Sequence, residues 1–146
     1  MTLAELAHYR AEMLAVWRAQ PTALAAAWEA LPPHHRGPAS QALAELWWWE
    51  TQVGFPNLQA LISGRPPRFV LPPRPAAPPP PATMLDDYRR LRAQAWDMVR
   101  PLDADGWSRL GRHPHFGPRT VQWWVERSLA VGQHALRQLS SEEVSP

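Results

Sequence analysis

The sequence predicts an all-α fold, a four-helix bundle with a long proline-rich crossover between helices two and three. Three observations carry that prediction. Apolar residues recur at the 3.6-residue helical period in four long segments, most clearly at Val121, Trp124, Val125, Ser128, Val131 or Gly132, Ala135 and Leu139. Half of the 18 prolines fall between Arg65 and Pro81, where neither a helix nor a central strand can form. No segment shows the alternating pattern of a half-buried strand, and there is no Gly-rich phosphate loop. With 146 residues, 45% of them hydrophobic, the chain is long enough for one real core and too short for two, so residues 1–146 read as a single domain.

Helix one starts at Thr2, with Leu3, Leu6, Ala7, Met13, Leu14 and Trp17 along one stripe. Pro21 interrupts or kinks it, and Thr22 to Ala30 resumes the pattern until Pro32-Pro33 ends it. Helix two runs from Pro38 to about Ser63 with Leu43, Leu46, Trp47, Val53 and Leu61 inward, and Pro56 bends it near Phe55. Trp47, Trp48 and Trp49 cannot share one face, because neighbours on a helix sit about 100° apart. At least one of these indoles must meet a loop, a partner or a pocket. Glu50 lies on the buried stripe and therefore needs a donor such as an arginine or an indole N–H.

The segment 65–81 reads as an extended crossover, with Phe69, Val70 and Leu71 available to pin it down. At roughly 3.1 Å per residue it reaches about 50 Å, against about 33 Å for a 22-residue helix, so helices two and three can lie parallel. Helix three runs from Thr83 to Arg100, opened by a Thr-x-x-Asp box at Thr83 and Asp86, with Leu85, Tyr88, Leu91 and Ala95 inward. Asp103 to His115 reads as a structured turn whose Trp107, with Phe116, plugs the end of the bundle. Thr120 caps the last helix, and residues 140–146 form a polar, flexible tail.

Composition narrows the function. All 15 basic residues are arginine, yet the net charge is only +2 and no basic run exceeds Arg89-Arg90, which argues against a nucleic-acid partner. The absence of cysteine removes thiolate nucleophiles, disulfides and Cys-ligated metals. Charged residues Glu5, His8, Arg10 and Glu12 within the first turns exclude a signal peptide or membrane span there, so the expectation is a cytoplasmic protein with no membrane partner.

The order of helices, the segment Gly-Arg-His-Pro-His-Phe-Gly at 111–117 with Thr120 after it, and the closing His-x-Leu-x-Gln-Leu at 134–139 resemble the DinB-like (YfiT-type) four-helix-bundle family. The likeness covers essentially the whole chain and is strongest from Trp107 to Leu139. It implies a homodimer, and a divalent metal held by one His on helix two and two on the last helix, in thiol-transferase or hydrolase-type chemistry. The matching positions here are Glu45, Val131 and Ala135. Two of these offer only carbon, and a transition metal needs about three protein donors. The expectation is therefore no metal and no cofactor, and no catalytic residue is assigned.

What stands out is the set of nine tryptophans. Core and interface packing is the first reading; a ligand pocket formed by Glu45, Trp48, Trp49, Glu50, Trp123, Trp124 and His134 is the second. His113 and His115 fall in the turn before the last helix and read as structural or surface groups. Two functions follow: a non-catalytic binding or structural homodimer, or an enzyme whose metal is held in an altered way by Glu45, His134 and Glu126.

Overall fold

The computed structural model describes residues 1–140 and is predominantly helical. Helix α1 spans Leu3–Ala30 and opens on a reciprocal cap: the Glu5 backbone donates to Thr2 Oγ1 at 3.1 Å, and the Thr2 backbone donates to Glu5 Oε2 at 2.7 Å. Pro21, expected to interrupt or kink the helix, sits inside one continuous helix. Proline has no N–H to offer the carbonyl four residues earlier, that of Trp17, and Arg92 donates to that oxygen instead. Leu3, read as the start of the buried stripe, is exposed, so burial begins further along at Met13.

A 3₁₀ turn, Pro33–His35, leads into α2, Arg36–Trp49. The predicted bend near Phe55 takes the form of a π turn, Glu50–Gly54, followed by α3, Phe55–Ile62. Pro56 lies in the first turn of α3, where its missing N–H costs least, and the Phe55 backbone donates five residues back to Glu50. The Trp49 ring lies so close to Gly54 that a β-carbon there would collide with it, so the wide turn needs glycine.

Residues 66–80 are irregular, and α4 then spans Pro81–Val99. It begins two residues before the expected Thr83 box, with Pro80 as cap and Pro81 in the first turn, and no side chain caps it. The crossover is not held by Phe69, Val70 and Leu71, which are 58%, 74% and 37% exposed. Polar contacts hold it: the Arg68 backbone donates to Asn57 Oδ1 at 2.9 Å, and Arg74 reaches Glu45.

A single turn, α5 (Ala104–Trp107), follows, and the stretch read as a turn without strands contains an antiparallel hairpin, β1 (Leu110–His113) with β2 (Gly117–Thr120). Its four-residue strands carry Gly, Arg, His and Pro in place of alternating apolar residues, which hides them from pattern reading. His113 closes the turn, its Nδ1 accepting the backbone N–H groups of His115 and Phe116 at 3.0 and 3.2 Å. Gly117 has φ of 75°, the left-handed conformation that favours glycine. Helix α6, Val121–Ser140, starts on Thr120, whose Oγ1 accepts from the Trp123 backbone at 3.1 Å. Only Ser140 of the expected tail is described, and it is the last residue of α6; the rest lies outside the described residues.

Pairings fix the helix directions. Arg10 meets Gln122 and Trp17 meets Ser128, so α1 and α6 run the same way. Trp47 meets Asp87 and Glu50 meets Arg92, so α2 and α4 run the same way. Arg18 lies over Trp96 and Gln20 meets Tyr88, so α1 and α4 are opposed. One apolar cluster holds Trp17, Val53, Val99, Trp107, Trp124 and Val125; the other holds Leu24, Leu43, Met84, Tyr88 and Leu139. Trp107 and Phe116 pack on the first, as expected.

Candidate functional site

Where the two clusters meet, the interior is polar. Arg92, 3% exposed, donates through Nη2 to Glu50 Oε1 at 3.0 Å, Ser128 Oγ at 3.0 Å and Tyr88 Oη at 2.8 Å. Its Nη1 donates to Gln20 Oε1 at 2.8 Å and to the Trp17 carbonyl freed by Pro21. Ser128 also bonds Glu50 Oε1 and accepts from Trp17 Nε1 at 3.0 Å. The guanidinium stacks over the Trp17 and Tyr88 rings at 4.7 and 4.9 Å. Glu50 thus finds the buried donor its position demands. Burial, followed by the Glu50 charge, pushes the Tyr88 phenol well above its ordinary range, and Arg92 pulls against that shift. Every member is occupied by another, so this cluster ties α1, the π turn, α4 and α6 together and leaves little room for a ligand.

The open site lies elsewhere, in a groove of about 630 Å³ between α2 and α6. Its apolar wall comes from positions 39, 42 and 46 of α2 and 131 and 135 of α6, where Ala39, Ala42, Leu46, Val131 and Ala135 are small or aliphatic. The rim is polar, with Glu45, Arg74, His35, His134, Gln41 and Gln138. Arg74 comes from the crossover, contacts both Glu45 oxygens from Nε at 2.7 and 2.9 Å, and lies 4.1 Å over the Trp48 ring. Both charged side chains of this pair are more than half exposed, so it contributes little to stability.

Of the seven residues read as a pocket, the structure brings Glu45, Trp49 and His134 into this groove. Trp48, Glu50, Trp123 and Trp124 do not join them. Glu50 continues the buried stripe of Ala39, Leu43 and Leu46 and faces inward to Arg92. Trp123 and Trp124 stack on Phe116 and each other near the hairpin, with centroids 5.0 to 5.8 Å apart. The three successive indoles meet three different surroundings. Trp47 donates to Asp87 on α4 at 3.0 Å, Trp48 is buried under Arg74 of the crossover, and Trp49 lines the groove. Glu126, considered with Glu45 and His134, is engaged by Tyr9 Oη at 2.6 Å. That hydrogen bond, with some burial, pushes the Tyr9 phenol up to about 12.

His35, Gln41, Arg74 and Gln138 escape a reading of the sequence, because nothing in local periodicity says which rim residues face each other across a groove. The metal that the family resemblance implies does not fit here. Glu45 is held by Arg74, Val131 and Ala135 have no donor atom, and no three His, Asp or Glu side chains converge among the described residues. No helix of the described residues is long and apolar enough to cross a membrane. Neither protein-family models nor curated proteins give a match to the chain.

Proposed function

We propose that this chain is a non-catalytic binding protein that takes a small amphipathic molecule in the groove between α2 and α6, without a resident metal. The reading includes an up-down-down-up four-helix bundle of the DinB-like type, in which the crossover joins two helices that run the same way, and a homodimer of such bundles. One observation carries it: at Glu45, Val131 and Ala135 there is an open groove with an aliphatic wall and a polar rim, where a closed core would have been filled by indole rings. A groove of this size with few convergent polar groups matches the anatomy of small-molecule sites.

The amphipathic dye 8-anilinonaphthalene-1-sulfonate provides a probe. Fluorescence enhancement with saturation at one dye per chain is expected, and Ala42→Trp, at a half-buried position lining the groove, should abolish it while the thermal midpoint stays near that of the parent. Unchanged dye binding in that variant refutes the groove as the site. Sedimentation equilibrium should give twice the chain mass of 16.6 kDa. Glu45 and His134 on one rim are what favour a second reading, an enzyme of the metal-dependent transferase or hydrolase kind with an altered site. Elemental analysis of protein purified without an affinity tag decides between them, since a stoichiometric transition metal would support that second reading and sink the first.

A further inference from the structure

A different surface lies at the end of the molecule where α3, the start of the crossover and the β1–β2 hairpin meet. Residues 51–85 and 106–125 contain no Asp or Glu, and both segments converge there. Three contacts lock them into one face. His113 Nε2 donates to the Arg68 carbonyl at 2.8 Å, the proton being on Nε2 because Nδ1 already accepts two backbone N–H groups. Arg109 donates to the Ile62 carbonyl at 2.7 Å. Gly111 lies so close to Leu61 that a β-carbon there would meet its Cδ1 at 2.7 Å.

Around this junction Arg65, Arg68, Arg109 and Arg112 are exposed; Arg119, opposite Gly111 in the hairpin, is exposed on its other side and lies over Trp123, and none of the five forms an ion pair among the described residues. Their hydrogen bonds go to neutral groups: Arg68 to Gln52, Arg109 and Arg119 to backbone carbonyls, and Arg65 to Ser63 at 3.5 Å. The same segments carry large apolar side chains open to solvent, Phe69 at 58%, Val70 at 74% and Leu110 at 57%. The nearest carboxylates in sequence, Asp103 and Asp105, belong to α5, where Asp103 accepts from the Gly106 backbone. Of the ten arginines elsewhere, Arg74, Arg89, Arg90, Arg92 and Arg100 each pair with a carboxylate, while Arg10, Arg18, Arg36, Arg127 and Arg137 form no ion pair among the described residues but are scattered over three helices.

We propose that this face docks on an anionic phospholipid surface, Phe69, Val70 and Leu110 entering the headgroup layer while the surrounding arginines meet lipid phosphates. An anionic bilayer satisfies both halves of the face at once, since it offers negative charge at the surface and apolar volume just beneath. Nucleic acid would satisfy the arginines but leave Val70 and Leu110 in water. Each arginine brought to such a surface strengthens binding by roughly fivefold, and salt weakens it. The face is separate from the groove, so this proposal stands whether or not the groove binds a small molecule.

Sedimentation of the full chain with extruded vesicles tests it, using phosphatidylcholine alone and phosphatidylcholine with one-third phosphatidylglycerol, at low and high salt. Binding to the anionic vesicles only, lost at high salt, is expected. Arg65→Glu with Arg112→Glu should reduce that binding by at least about 25-fold, the product of two such factors. Val70→Ser with Leu110→Ser should weaken it too, with circular dichroism and thermal midpoint unchanged because both side chains are exposed. Failure to bind anionic vesicles, equal binding to neutral ones, or full binding by either double variant overturns the proposal. So does retention on duplex DNA without retention on vesicles.

Discussion

Arg92→Met is the sharpest perturbation this structure offers. Arg92 and Glu50 are an almost fully buried ion pair, with side chains 2% and 7% exposed. Removing the guanidinium leaves the Glu50 carboxylate without its countercharge and strips a donor from Gln20, Tyr88, Ser128 and the Trp17 carbonyl. Breaking a buried pair in this way costs about 3–5 kcal/mol, a large part of a total stability of about 5–15 kcal/mol. At roughly 2–4 °C per kcal/mol the thermal midpoint should fall by about 10 °C. Glu50→Leu alone should cost a similar amount, because it strands the arginine. Combining the two removes both charges, while Trp17 can still donate to Ser128 and Tyr88 to Gln20. The double variant should therefore be more stable than the sum of the singles by about 2 kcal/mol or more. Urea unfolding followed by tryptophan fluorescence measures all four proteins, the nine indoles reporting the global transition. If Arg92→Met costs less than about 1 kcal/mol, or the two costs simply add, the cluster does not hold the helices together as argued.

Three further outcomes follow from the same geometry. Gly132→Ala would set a β-carbon 2.5 Å from Gln20 Oε1, and overpacking of about 1–3 kcal/mol should appear as a lower urea midpoint; Gly37→Ala, with nothing within 4 Å, should instead stabilise by up to about 1 kcal/mol. The chain has no Lys or Cys and only two tyrosines, so alkaline titration is largely theirs. Both phenols are held above the ordinary 10.0, Tyr9 to about 12 and Tyr88 higher still, so folding favours the protonated form. The stability this gives is complete below pH 10.0 and declines as pH rises past it, so tyrosinate absorbance should stay suppressed near pH 10.0 and appear with unfolding; a full tyrosinate signal from folded protein at that pH would contradict it. Pro21→Ala supplies an N–H to the Trp17 carbonyl, so Arg92→Met should cost about 1 kcal/mol less in that background than in the parent, a difference read by a double-mutant cycle in urea.

Much of the helical layout was legible because it depends on local chemistry. The stripe on α6 follows a period, Thr120 caps because its hydroxyl suits a helix start, and Pro56 shows where the second helix must widen. The demand that Glu50 find a donor was legible too, since a carboxylate on a buried stripe cannot stay unpaired. The donor's identity was not read: Arg92 does fall on the stripe of Tyr88 and Ala95, but its partner lies 42 residues away and arginine is ordinarily exposed. The hairpin was invisible for a related reason. A side chain, His113, and a left-handed glycine fix it where strand propensity gives no signal. Likewise Trp48, Trp123 and Trp124 looked like pocket residues only because their chemistry is that of a pocket; their direction is set by the crossover and the hairpin, both long-range partners.

Pro21 shows how far a local rule reaches once the partner is known. Read alone, it predicts a broken or kinked helix, because the ring removes one donor and strands one carbonyl. That carbonyl belongs to Trp17, whose indole is already at the centre of the polar cluster, and Arg92 is placed to donate to it while also neutralising Glu50. The break is avoided because the missing backbone bond is replaced by a side chain from another helix. A defect in α1 thereby becomes one of the contacts that dock α4 against it, and the proline, the arginine and the glutamate form one structural unit spread over three segments of the chain.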